Sequence, residues 1–148
     1  MICCFFGHHD TTKNIRSILC EQVQSLIKND GVNRFYVGIH GHFDYMDIDT
    51  LRQMKEQYPH ISYDVVLAYM PDYSPQDYSY IKPSKTIYPD GLEKVPRRFA
   101  INWRNDWILK QSHIVICYVR HHLGGAGRME EKTTKQHKRV INLANLET

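Results

Sequence analysis

Short continuous apolar runs alternate along this chain with segments whose apolar residues recur every third or fourth position, and that alternation leaves few folds open. Ile2-Cys3-Cys4-Phe5-Phe6, closed by Gly7, suits a strand buried on both faces. Asp10, Thr11 and Thr12 offer N-caps for a helix reaching Asn29, with Ile15, Ile18, Leu19, Val23, Leu26 and Ile27 at helical spacing and Asn29-Asp30-Gly31 as its stop. Phe35-Tyr36-Val37-Gly38-Ile39 predicts a second strand. The helix after it turns Phe43, Met46, Leu51, Met54 and Tyr58 inward and stops at Pro59. Ile61 to Tyr69 predicts a third strand, Arg97 to Gln111 a third helix and His113 to Val119 a fourth strand. A fourth helix, Ala126 to His137, precedes a closing strand at Val140 to Leu143. Such alternation implies an α/β, Rossmann-like domain with a mainly parallel sheet of about five strands, right-handed crossovers and helices on both faces.

One stretch departs from the pattern. Residues 70–96 hold five of the six prolines together with Tyr73, Tyr78, Tyr80 and Tyr88, and so many aromatics predict one long ordered loop over the strand ends rather than a linker. The remaining elements fit one domain spanning residues 1–148, enough chain to bury a core. With 42% hydrophobic and 24% charged residues, disordered and fibrous classes are excluded. No apolar run approaches the roughly 20 residues of a membrane-spanning helix. Met-Ile-Cys-Cys-Phe-Phe lacks the basic start of a secretory leader, so a cytoplasmic location is expected. Cys3, Cys4, Cys20 and Cys117 have no paired spacing and are expected as free thiols, three of them within apolar runs.

Ligands of such sheets sit beyond the carboxyl ends of the strands. Three of the segments there combine glycine with polar residues: Gly7-His8-His9, Gly38-Ile39-His40-Gly41-His42-Phe43-Asp44, and Leu123-Gly124-Gly125-Ala126-Gly127. Glycines let backbone N–H groups converge, and a following helix N-terminus favours negative charge, so the three turns at one sheet edge suit a phosphate. Arg104 has Ile101, Trp107 and Ile108 one turn away, which puts a guanidinium on an inward helix face. That is costly unless it meets an anion or a carboxylate. Glu131 is one candidate partner.

These residues resemble the SLOG superfamily. Leu123-Gly124-Gly125-Ala126-Gly127-Arg128-Met129-Glu130-Glu131 is similar to the P-G-G-x-G-T-x-x-E signature of LONELY GUY-type phosphoribohydrolases, and Arg104-Asn105-Asp106-Trp107-Ile108 to their upstream arginine helix. Gly7-His8 and Gly38-x-x-Gly41-x-x-Asp44 resemble segments of the DprA branch. Over nearly its full length the chain is similar to small YpsA-like SLOG proteins of bacteria and mobile elements. The resemblance implies a domain that binds a nucleotide or nucleotide derivative, with Gly7, His8, Gly38, His40, Gly41, Asp44, Tyr69, Arg104, Gly124, Gly125, Ala126, Gly127 and Arg128 around the ligand. In the hydrolase branch, residues matching Arg104 and Glu131 act on an N-glycosidic bond. Here Leu123 replaces the motif proline and Arg128 the threonine, so the cradle loses a hydroxyl and gains a cation.

The leading expectation is therefore a binding module, a sensor or sequestering protein, for a nucleotide-like small molecule. The alternative is a phosphoribohydrolase acting on nucleoside 5′-monophosphates through Arg104 and Glu131, and a solvent-facing Glu131 would count against it. No cofactor is implied. His8, His9, His40, His42, His121 and His122 fall at strand ends and leave a metal site as a further alternative, although none shows local ligand spacing. The net charge of +3 is too mild for extended nucleic-acid binding, and Lys132, Lys135, Lys138 and Arg139 suit a solvated helix face. Homodimerisation stays open, with Trp103 and Trp107 serving either core or interface.

Overall fold

In the sheet of this protein every strand is parallel to its neighbours, in the order β4-β3-β2-β1-β5-β6. The computed structural model describes residues 1–7, 14–39, 41–69, 83–120 and 124–146. The strands are β1 (Ile2–Gly7), β2 (Arg34–Val37), β3 (Ser62–Val66), β4 (Lys85–Ile87), β5 (Ile114–Tyr118) and β6 (Arg139–Asn142). Between them run α1 (Arg16–Asn29), α2 (His42–Gln57), α3 (Ala100–Gln111) and α4 (Gly124–Lys135). From the central β1 the chain moves outward through β2, β3 and β4, then returns to add β5 and β6 on the other side. That reversal puts α1 and α2 on one face and α3 and α4 on the other, as right-handed crossovers require.

Side-chain alternation along β1 explains its unbroken apolar run. Cys3 and Phe5 point into the core beneath α1 and α2, with Phe35, Val37, Tyr63 and Val65. Cys4 and Phe6 point into the core beneath α3 and α4, with Tyr36, Val66, Ile108 and Cys117. A strand covered on both sides has no polar position to offer. In α2, Phe43, Met46, Leu51 and Met54 are buried as their spacing implies, and Tyr58 packs at the core's edge. The four cysteines are free; Cys3, Cys4 and Cys117 are buried, and burial pushes the Cys4 and Cys117 thiols up to about 12.

Strand and helix ends shift by one to three residues from expectation, β3 for instance ending at Val66 rather than Tyr69, and three regions differ more. The stretch 70–96 is not wholly irregular: Lys85–Ile87 adds a sixth strand at the sheet edge, paired Val65 to Thr86 and Val66 to Ile87. Its short polar sequence gives no periodic signal, and its exposed Lys85 suits an edge that must not attract further strands. Tyr88 packs against the core, while Tyr73, Tyr78 and Tyr80 lie outside the described residues. A 3-10 turn at Arg97–Phe99 precedes α3, which begins at Ala100 rather than Arg97. Helix α1 begins at Arg16, where the Asn14 side chain accepts the Arg16 N–H at 3.1 Å; the expected caps Asp10 to Thr12 lie outside the described residues.

Asp47 is the anomaly of the core. It lies on α2 with no exposed surface, and neither carboxylate oxygen has a hydrogen-bond partner. Burial, and secondarily the neighbouring Asp44 charge, raise its pKa well above the ordinary carboxylate value. Below an unfolded pKa of about 3.9 the group is protonated in both states and adds no pH dependence. As pH rises past that value the folded protein binds more protons than the unfolded chain, so stability falls until the folded pKa is reached. Asp47→Asn removes this slope and gains ~1–2 kcal/mol at pH 8 relative to wild type. Denaturant unfolding at pH 5 and pH 8 checks it; an unchanged pH dependence in the variant contradicts the assignment.

Candidate functional site

Beyond the ends of β2 and β3 the structure buries a positive charge. Arg104, near the middle of α3, keeps only 4% of its surface exposed. Its Nη1 donates to the Val66 carbonyl at the end of β3 at 3.3 Å. Its Nε and Nη2 donate to Asn105 Oδ1 at 3.2 and 2.9 Å, so one amide oxygen holds the guanidinium edge. The head group crosses over Gly38, immediately after β2. A Cβ at Gly38 would lie 2.8 Å from Arg104 Nη1 and 3.0 Å from Asp44 Oδ2. Glycine is thus required for close approach, and it is what brings Arg104 and Asp44 together over the β2 end. Burial lowers the Arg104 pKa, and the charges of Asp44 and Tyr69 oppose that shift. A guanidinium stays protonated under these conditions, so the strand ends hold a desolvated cation with the Asp44 carboxylate beside it.

Other expected site residues divide into groups. Gly38, Asp44, Tyr69 and Arg104 are brought to one region, and Gly41 caps the N-terminus of α2 beside it. Gly7 has a packing reason of its own, since a Cβ there would lie 2.3 Å from the ring of the buried Phe43. Gly124, Gly125, Ala126 and Gly127 form the first turn of α4, followed by an exposed Arg128. His8 and His40 lie outside the described residues, as do His9, His121 and His122, which leaves His42 alone of the strand-end histidines in view. Among the described residues no group of three or more histidine, cysteine or acidic side chains is placed to hold a metal.

Glu131 does not join Arg104. Its side chain is 67% exposed and pairs with Lys135 at 3.3 Å one turn along α4. The carboxylate that turns inward is Glu130, which accepts from Asn142 Nδ2 at 2.9 Å and lies 3.9 Å from Cys117 Sγ. Helix phase explains the difference. Met129 and Thr133 are buried, and at ~100° per residue Glu130 stands beside that stripe whereas Glu131 stands opposite it. Asn105 and the Val66 carbonyl, which hold Arg104, carried no sequence signal beyond adjacency.

The basic cluster is internally engaged. Lys132 meets Asp106 at 2.8 Å, Lys135 meets Glu131, Arg139 meets Asp30 at 3.3 Å, and Lys138 donates to the Leu109 and Ser112 carbonyls at the end of α3. A groove of about 510 Å³ between α3 and α4 is lined by Trp103, Trp107, Lys110 and two of those paired lysines, away from the strand-end glycines. Trp107 also packs on Tyr36, ring centroids 5.8 Å apart. No described helix is long and apolar enough to cross a membrane.

No protein-family model and no curated protein matches the chain. Among solved structures it is similar to DNA processing protein A (DprA) from Streptococcus pneumoniae, with a TM-score of 0.65 and 16% identity over 93% of this chain. This chain spans 48% of that one, about half its length. The fold is therefore Rossmannoid and similar to that of DprA; the likeness extends to the fold alone.

The Gly38 contact generates a test that needs no ligand. Gly38→Ala is expected to destabilise the protein by ~1–3 kcal/mol, the range for forcing extra bulk into a packed site. In an Arg104→Met background the same substitution should cost clearly less, because the two residues are coupled. Denaturant unfolding of the four proteins measures this; equal costs in both backgrounds contradict the contact.

Proposed function

We propose that the protein is a binding module for a nucleotide or nucleotide-derived ligand, with the phosphate held at the strand ends by Arg104 and the neighbouring glycine turns. The buried guanidinium over Gly38 carries the reading. A cation taken out of water is stabilised strongly by a second anion, and a planar fork already pinned on one edge by Asn105 loses little freedom when phosphate binds the other. Gly41 at the start of α2 and Gly124 to Gly127 at the start of α4 supply helix N-termini at the same sheet edge, which favour the same charge.

Binding is favoured over hydrolysis by the position of Glu131. A phosphoribohydrolase of the resembled type needs an acidic group facing the ribose across from the arginine, and Glu131 faces solvent with Lys135. Glu130 faces inward but is taken up by Asn142, and it neighbours a thiol that burial keeps protonated. The name of the similar structure, DNA processing protein A, raises a nucleic-acid reading. Against it stand the mild net charge of +3 and the internal pairing of the cluster on and after α4. The YpsA-like resemblance supports a small-ligand role within a SLOG-type domain and names no ligand.

Titration calorimetry with ribonucleoside 5′-monophosphates tests the reading. Wild type should bind at least one of them, and Arg104→Ala should weaken that binding by roughly 10- to 100-fold, as loss of a charge-assisted bond implies. Chromatography after prolonged incubation should return the nucleotide intact. Release of free base and ribose 5-phosphate would overturn the non-catalytic assignment, and equal binding by the variant would overturn the site.

A further inference from the structure

The basic character of the strand-end region extends beyond Arg104. The 3-10 turn at Arg97–Phe99 runs directly into α3, so Arg97 precedes Arg104 by seven residues, two turns and ~10 Å along the coil. Tyr69 connects the two. It lies three residues beyond the Val66 carbonyl that Arg104 grips. On its other side the Arg97 guanidinium stacks over the Tyr69 ring, Cζ 4.4 Å from the centroid. Arg97 is exposed, and no carboxylate or carbonyl among the described residues takes its N–H groups.

A guanidinium attracted to a ring face does not spend its N–H donors on the contact, so they stay available to an anion. This is the arrangement that suits a second anionic group, set apart from the first by an aromatic side chain. Resting on the nucleotide reading above, we propose that Arg97 and Tyr69 form a second anion subsite. The ligand class is then a nucleotide with two separated anionic groups, such as a 5′-phosphorylated dinucleotide or a nucleotide phosphorylated at both ends, rather than a nucleoside 5′-monophosphate. Arg104 takes the buried phosphate and Arg97 the outer one. Arg98, stacked 4.8 Å over the exposed Phe99 ring, extends the same basic and aromatic character along the turn.

The test compares 5′-AMP and 5′-GMP with the dinucleotides pApA and pGpG by titration calorimetry on wild type, Arg97→Ala and Arg97→Lys. The preferred dinucleotide should bind wild type about tenfold or more tightly than its mononucleotide, the gain expected of one added charge-assisted contact. Arg97→Ala should abolish that advantage while leaving mononucleotide affinity within about twofold, and Arg97→Lys should restore only part of it because an ammonium lacks the planar fork. Since Arg97 is exposed, the melting temperature should stay unchanged, which separates loss of the subsite from misfolding. Mononucleotide binding that depends on Arg104, with no dinucleotide advantage or with an advantage that survives Arg97→Ala, overturns this inference alone. If no mono- or dinucleotide binds wild type, the nucleotide reading falls and this one with it.

Discussion

A sheet whose strands are all parallel has no face for water, and most of this molecule follows from that constraint. Each return to the sheet needs a crossover, so helices cover both sides and the central strand must be apolar at every position, as β1 is. Parallel direction also gathers the carboxyl ends of the strands along one edge, with the starts of α2 and α4 beside them. Chain reversal beside β1 divides the helices between the faces. The second half of the protein thereby lowers α3 onto β2 and β3, where Arg104 reaches the Val66 carbonyl across 38 residues of sequence.

Within that frame several cations packed against the fold follow one rule: each is given an oxygen. Lys138 serves the carbonyls at the end of α3, the Asn142 amide pairs with both backbone groups of Val119 and lengthens the β5–β6 ladder by a residue, and Arg34 lies 3.5 Å from the buried Asp64. Arg104 satisfies the rule only in part. A carbonyl, a neighbouring amide and a nearby carboxylate hold it in place. Asp47 breaks the rule in the opposite sense, as a buried acid with no donor, and its neighbour Asp44 is the acid that flanks Arg104.

Much of this was legible in the residues. The runs around Phe5, Tyr36 and Val115 and the periodicity of α2 define the α/β layers, because burial on two faces or one leaves a direct mark on hydrophobic spacing. The inward placement of Arg104 was legible too, through Ile108 one turn away, although Ile101 on the other side is exposed. Less was legible where pairing or phase decides. The edge strand β4 is three residues long and is held by hydrogen bonds to β3, which no local pattern records. Glu131 matched a family motif by position, yet the Met129 and Thr133 stripe already assigned the inner face of α4 to Glu130. Motif matching counts residues, whereas helix phase decides which of two adjacent acids turns inward. The stacking of Arg97 on Tyr69 joins a turn before α3 to the residue just past β3, and only the fold brings the two within reach.

The central claim is that a buried guanidinium over Gly38 marks an occupied anion site. Native mass spectrometry of the protein as purified from cells tests it most directly, with Arg104→Ala prepared alongside. The account predicts a small phosphate-bearing mass released from wild type on denaturation and absent from the variant. The same mass retained by Arg104→Ala would contradict it, because the ligand would then sit elsewhere on the molecule.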